Sequence, residues 1–151
     1  VRNCLIYFFA VLFTTTSYAS EYDKVFVEAG KAYYLDPLLI KAHCVKESGL
    51  NPTAYNAKNW DKSVDIGLCQ INSWWYPKMK EHGITPDMLT IPTISIYWAA
   101  YVINHNFSIG GINLNSIGAY NAGWKKEKQS ARNKYAREVL VIYEQLKKGG
   151  L

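Results

Sequence analysis

The sequence predicts a mainly α-helical single domain with a long loop or small β-hairpin after its second helix. Three observations predict it. Apolar residues recur at helical spacing along most of the chain. Capping residues, Pro and Gly punctuate these segments. Between them, the stretch Asn51–Asp65 (NPTAYNAKNWDKSVD) is polar and turn-rich.

The N-terminus reads as a secretory signal peptide. Arg2 supplies a short positive region, and residues 5–13 (LIYFFAVLF) form an apolar run too short to span a bilayer as a helix. Ser17-Tyr18-Ala19 then offers small residues for cleavage after Ala19. An uncleaved anchor is the alternative. The expected domain is therefore residues 20–151, exported and soluble, behind a signal peptide at 1–19.

The elements follow in order. Ser20 can cap a first helix whose apolar positions are Tyr22, Val25, Phe26, Ala29 and Ala32. Asp36-Pro37 reads as N-cap and first residue of a second helix, which runs to about Ser48 and is ended by Gly49. After the polar loop, Pro92 opens a helix with Ile96, Tyr97, Ala100, Tyr101 and Ile103 on its apolar face, and Gly110-Gly111 breaks it. A short helix passes through Ile117 and Tyr120 to Gly123. The last helix, roughly 130–148, carries Tyr135, Val139, Ile142, Tyr143 and Leu146 on one side.

Composition narrows the partners. The chain has 151 residues, 49% of them hydrophobic and 15% aromatic, which suits one domain with a packed core. Its net charge of +5 suits an anionic polymer or membrane surface. Export and the lack of a binding motif argue against nucleic acid. Two cysteines, Cys44 and Cys69, remain once the signal segment carrying Cys4 is removed. In an oxidising compartment they are expected to pair, a bridge worth roughly 3.5 kcal/mol in the chain-entropy model. Two buried free thiols are the alternative. With His43, His82 and His105 they show no metal-ligand spacing, so neither metal nor cofactor is expected.

Three segments carry candidate chemistry. In HCVKESGLNP, Ile40, Cys44 and Glu47 share one helix face. Glu47 thus extends an apolar stripe, where burial would raise its pKa into the range of a general acid. In SVDIGLCQINSWW, Asp65 supplies a second carboxylate, and paired carboxylates are the usual equipment for glycosidic cleavage. Gln70 and Asn72, with Trp74 and Trp75, offer a sugar-binding wall. In AYNAGW, Tyr120 and Asn121 place a phenol and an amide beside a Gly turn.

The segments ESGLNP, GLCQIN and AYNAGW, followed by Tyr135-Ala136-Arg137, resemble lytic transglycosylases of the goose-type-lysozyme-related fold. The likeness covers nearly all of residues 20–151. It is nearest to the small exported members that accompany type III and type IV secretion systems. This resemblance implies a lysozyme-like α-helical domain acting in the periplasm on peptidoglycan, as a monomer, beside a secretion apparatus. It implies that Glu47 is the catalytic acid/base, that Ser48 positions substrate and that Gln70 contacts sugar. Tyr120 and Asn121 are implied to line the cleft, the phenol hydrogen-bonding near the acid. Two features depart from the family pattern. Cys69 stands where Met is more usual, and the Asp65 segment is similar to the one carrying the second carboxylate of chicken-type lysozymes. The expected reaction cleaves the β-1,4 bond between N-acetylmuramic acid and N-acetylglucosamine, closing an anhydro ring. Hydrolysis of the same bond, and a non-catalytic wall-binding role, are the alternatives.

Overall fold

The computed structural model describes residues 21–149. The signal peptide assigned to residues 1–19, and the Ser20 cap, lie outside the described residues. Among the described residues there are six α-helices and one small sheet: α1 (Asp23–Tyr33), α2 (Pro37–Ser48), α3 (Tyr76–Lys80), α4 (Pro92–Gly110), α5 (Leu114–Ala122) and α6 (Gln129–Gly149). The mainly helical expectation holds. The polar insertion is a three-stranded antiparallel sheet, β1 (Tyr55–Asn56), β2 (Asp65–Ile66) and β3 (Ile71–Asn72), in the order β1-β2-β3. Register pairs Asn56 with Asp65 and Asp65 with Asn72. Short 3-10 turns at Ser73–Trp75, Pro86–Thr90 and Lys126–Lys128, together with α3, fill segments for which the sequence suggested no element.

Helix α2 lies at the centre of the packing, against α1, α4 and α6. Asp36 begins it: Oδ1 accepts from the Leu38 amide at 2.9 Å, and Pro37 occupies the first turn. The other oxygen of Asp36 accepts from the Tyr143 hydroxyl at 2.6 Å, which ties α6 to the same cap. Gly49 ends α2 at φ 65°, a left-handed conformation that costs glycine nothing, and its amide donates to the Val45 carbonyl at 2.9 Å. The chain turns away there, which leaves Glu47 in the last turn.

Two buried clusters support this helix. Phe26, Ile40, Leu68, Met79, Leu89, Ile96 and Ile103 form the larger one, between α1, α2, α4 and the sheet. Ala42, Ile117, Tyr135, Ala136, Val139 and Leu146 form the second, under α5 and α6. Fully burying a large aliphatic or aromatic side chain contributes roughly 1.5–3 kcal/mol, so the position of α2 is strongly determined. Lys41 is wholly buried and pairs with Asp23 at 2.6 Å, joining α1 to α2. Removing the Asp23 carboxylate would leave the buried Lys41 charge uncompensated, at a cost of about 3–5 kcal/mol.

Candidate active site

The disulfide between Cys44 and Cys69 joins α2 to the turn before Gln70. Two further bonds hold the same turn. Ser48 Oγ donates to the Leu68 carbonyl at 2.6 Å, and the Cys69 amide donates to Ser95 Oγ at 3.1 Å. The Gln70 segment is therefore fixed beside the end of α2 from both sides.

Glu47, Asp65, Gln70, Asn72, Tyr120 and Asn121 all line one cleft of about 650 Å³. The segments are distant in sequence, and packing of α2, the sheet and α5 brings them together. Trp74 and Trp75 line the same cleft, with Trp60 and Trp124. Trp60 and Trp74 are 78% and 72% exposed, so much of each side chain is accessible to a ligand. Lys128 Nζ lies 5.6 Å from the centre of the Trp60 ring, a cation–π contact that links the sheet loop to the turn before α6.

Glu47 is half-buried in the last turn of α2. Burial, and then the nearby Asp65 charge, push its carboxyl pKa up; the Tyr135 hydrogen bond and Lys46 pull it down. Burial dominates, and the pKa rises to about 7. The acid is thus partly protonated near neutral pH, which lets one group both give and take a proton.

Tyr120 lines the cleft with the acid, and the phenol bonded directly to the acid is Tyr135. Tyr135 Oη donates to Glu47 Oε1 at 2.5 Å, whereas Tyr120 Oη donates to the Cys69 carbonyl at 2.8 Å. The two rings stack, 6.4 Å apart and inclined by 7°. Burial raises both phenol pKa values well above the usual range, so both remain donors. The Tyr135 hydroxyl could not be read from sequence, because its position in the apolar stripe of α6 is that of a core residue. His43, one turn before Glu47, is fully buried against both rings, and burial lowers its pKa to about 4. It is a neutral packing element.

Asp65 sits on the central strand inside a cage of side-chain amides. Oδ2 accepts from Asn56 at 2.9 Å and from Asn59 at 2.8 Å, and Oδ1 accepts from Asn72 at 2.7 Å. All three are donors, matched to a carboxylate, which has only acceptors. Asn72 therefore orients Asp65, and its own Oδ1 accepts from the Trp74 amide at 2.9 Å. Gln70 adopts φ 49°, unusual for a residue with a side chain, and its amide nitrogen donates to the Ala54 and Gly67 carbonyls. Strain of this kind persists where surrounding bonds impose it.

Ser48 follows the acid as the last residue of α2. Its hydroxyl is engaged within the protein, donating to Leu68 and accepting from the Asn51 amide at 2.9 Å. One further residue escaped the sequence reading. Arg132 is buried on α6, and its Nη1 donates at 2.8 Å to the carbonyls of Gly123 and Lys125. It thereby holds the rim segment that carries Trp124. Among the described residues, no group of three or more His, Cys, Asp or Glu side chains is arranged to hold a metal ion.

Residues 24–142 match the family described as Transglycosylase SLT domain. The chain is 33% identical over 153 residues to a "Peptidoglycan-binding-like protein" of Escherichia coli O157:H7, covering 97% of this chain and 90% of the relative. It is 31% identical over 142 residues to "Invasion protein IagB" of Salmonella typhi, covering 93% and 88%. "Protein IpgF" of Shigella flexneri is 36% identical over 117 residues, covering 77% and 76%. The fold superposes on a solved lytic transglycosylase Slt from Pseudomonas aeruginosa with a TM-score of 0.65 at 20% identity, over 87% of this chain and 25% of that one.

Proposed function

The chain belongs to the transglycosylase SLT domain family, and we propose that its cleft cuts peptidoglycan strands between N-acetylmuramic acid and N-acetylglucosamine with Glu47 as the proton-transfer group. The observation that carries this reading is the Glu47 carboxyl. It lies at the end of a rigid helix, facing a tryptophan-lined cleft, with its pKa raised to about 7.

Because Oε1 already accepts the Tyr135 hydrogen bond, the acid proton belongs on Oε2. Glu47 gives this proton to the glycosidic oxygen, and positive charge develops at the anomeric carbon. Asp65, held by three amides in the same cleft, stabilises that charge. The muramyl C6 hydroxyl then attacks the anomeric carbon and passes its proton back to Glu47, closing a 1,6-anhydro ring. Gln70 and Asn121 contact the glycan from the cleft wall, while Ser48 acts on substrate only through the Leu68 segment.

The amide cage around Asp65 favours a second reading, a lysozyme-type hydrolase in which Glu47 activates water. Digestion of purified sacculi followed by mass analysis separates the two. Anhydro-muropeptides support the transglycosylase; products heavier by one water support the hydrolase. Failure to release either would remove the enzymatic reading.

We further propose the finer placement: a member of the goose-type-lysozyme-related group, exported to the periplasm behind residues 1–19, opening the wall locally for a type III or type IV secretion apparatus. Support comes from the motif order and from the relative named an invasion protein, matched over 88% of its length.

A further inference from the structure

The two rims of the cleft touch each other. On the sheet rim, Trp60 lies in the loop between β1 and β2. Its neighbour Asn59 anchors that loop, donating to Asp65 Oδ2 at 2.8 Å and to the Ser63 carbonyl at 3.1 Å. On the helical rim, Lys128 ends the 3-10 turn that leads into α6, and its amide donates to the Lys125 carbonyl at 3.0 Å. Arg132 holds that same carbonyl. From these anchored rims, Lys128 Nζ reaches to 5.6 Å from the centre of the Trp60 ring, and both residues line the cleft. The same two loops approach at a second point. Hydrogen bonds from Ser63 and, as a smaller cause, the Lys125 charge hold the Asp61 carboxyl below its usual pKa.

The contact spans the mouth of the cleft. Ile71, Val102 and Ala119 are buried and form the floor, whereas Trp60 is largely exposed and Lys128 half-buried. Its position along the cleft follows from the rims. On the helical side, Lys128, Ala131 and Tyr135 stand at successive turns, so Lys128 lies about two turns, or ~10 Å, from the phenol that bonds the acid. On the sheet side, Asp65 leads through Asn59 to Trp60. The pair therefore forms a strap across the cleft, to one side of the two carboxylates.

A polymer end and a polymer interior meet such a strap differently. An end can be laid on the acid side of the strap and leave it closed. An interior segment must continue past it, and the strap must part. We propose that the Trp60–Lys128 pair sets where along a glycan strand the protein cuts, favouring bonds near strand ends over bonds in strand interiors. The inference rests on the glycan reading above. Both rims are anchored through their backbones, so parting needs only rotation of the Lys128 side chain and the indole. The cost is the contact itself. For an exposed cation–π pair it biases the choice by about two- to fivefold, which makes the strap a bias and not a lock.

The test digests long, peptide-free glycan strands and follows product lengths at low conversion. Small fragments report cuts near ends, and products of intermediate length report interior cuts. Their ratio is read within one reaction, so it does not depend on how much of a variant is folded. Lys128→Ala should raise interior cuts relative to end cuts by about two- to fivefold. Lys128→Arg keeps a cation for the ring and should keep the wild-type ratio. Trp60→Ala should raise the ratio as Lys128→Ala does, and the double variant should raise it no further, because both changes delete one contact. An unchanged ratio in Lys128→Ala would overturn the proposal. So would additive effects in the double variant, or a Lys128→Arg protein that behaves like Lys128→Ala. Cleavage of the strands by the unsubstituted protein judges the glycan reading separately. If it cleaves none, that reading and the strap proposal fall together; if it cleaves them with a ratio that no variant moves, the strap proposal falls alone.

Discussion

The Tyr135 hydroxyl donates to Glu47 Oε1 at 2.5 Å, across 88 residues of sequence and between helices α6 and α2. The bond sets two properties of the acid. It fixes the carboxyl orientation, so the other oxygen is the one free to act. It also opposes the effect of burial, because a donor favours the charged form. Without that opposition the carboxyl pKa would lie higher still.

Glu47→Gln keeps the acceptor for Tyr135 but removes the proton, so cleavage of sacculi should fall to background while the protein stays folded. Its stability should depend on pH in a defined direction. A carboxyl with a raised folded pKa binds its proton more tightly in the native state. Stability from that proton is present below about 4.5 and is lost as pH rises toward about 7. His43 acts oppositely: its lowered pKa removes stability as pH falls from 6.5 toward about 4. The two slopes offset each other in the wild type. In Glu47→Gln only the His43 slope remains, so the variant should gain on the wild type between pH 5 and 8, by roughly 1–3 kcal/mol. Denaturant titrations at several pH values check this, and a constant gap would show that Glu47 does not titrate as described.

Tyr135→Phe leaves the ring stack with Tyr120 in place and deletes the bond to the acid. The Glu47 pKa should then rise above about 7, because the contribution that lowers it is gone and burial remains. Activity requires a protonated acid, so the alkaline limb of the pH–rate profile should move to higher pH. The maximal rate should drop about tenfold through lost orientation. An unchanged alkaline limb would detach Tyr135 from the acid.

The placement of Glu47 was legible because it follows from local rules: Asp36-Pro37 starts a helix, Gly49 ends it, and Ile40, Cys44 and Glu47 share one face. The Cys44–Cys69 pairing was legible from cysteine number and the expectation of export. Asn56 and Asn59 were not recognised as partners of Asp65, since a turn-rich loop has no period from which to read side-chain direction. Tyr135 was hidden for another reason. It lies on a long helix where spacing reports burial, and spacing cannot say which buried polar atom finds a partner. The segment between Trp75 and Pro92 showed no clear pattern because its helical pieces are each one or two turns long.

The disulfide joins two segments that other bonds also hold. Replacing Cys44 and Cys69 together by Ser should cost roughly 2–4 kcal/mol of stability, as is usual for a native bridge. The Ser48–Leu68 and Tyr120–Cys69 bonds survive that change, so activity at low temperature should fall only severalfold. Both cysteines are fully buried, so the native protein should resist thiol labelling until it is reduced under denaturing conditions. Ready labelling of the folded protein would show the bridge to be absent in solution.

Asp65→Asn tests the second carboxylate, and the amide cage makes the expected outcome specific. The three amides cannot turn to suit a new partner. Asn56 Oδ1 accepts from the Lys58 amide, Asn59 Oδ1 from Asn56 Nδ2, and Asn72 Oδ1 from the Trp74 amide. Every nitrogen therefore continues to face residue 65. An asparagine there would set one NH₂ group against donors, leaving at least one bond unmade at a cost of about 1–3 kcal/mol. Loss of a preorganised charge near the anomeric carbon should lower the rate by about 10²–10³ in addition. The two effects are separable. Rates on sacculi are compared well below both unfolding midpoints, which are measured independently. A variant that is less stable but cleaves at the wild-type rate would make Asp65 the acceptor that organises the sheet loop, and would leave Glu47 as the sole carboxylate in the chemistry.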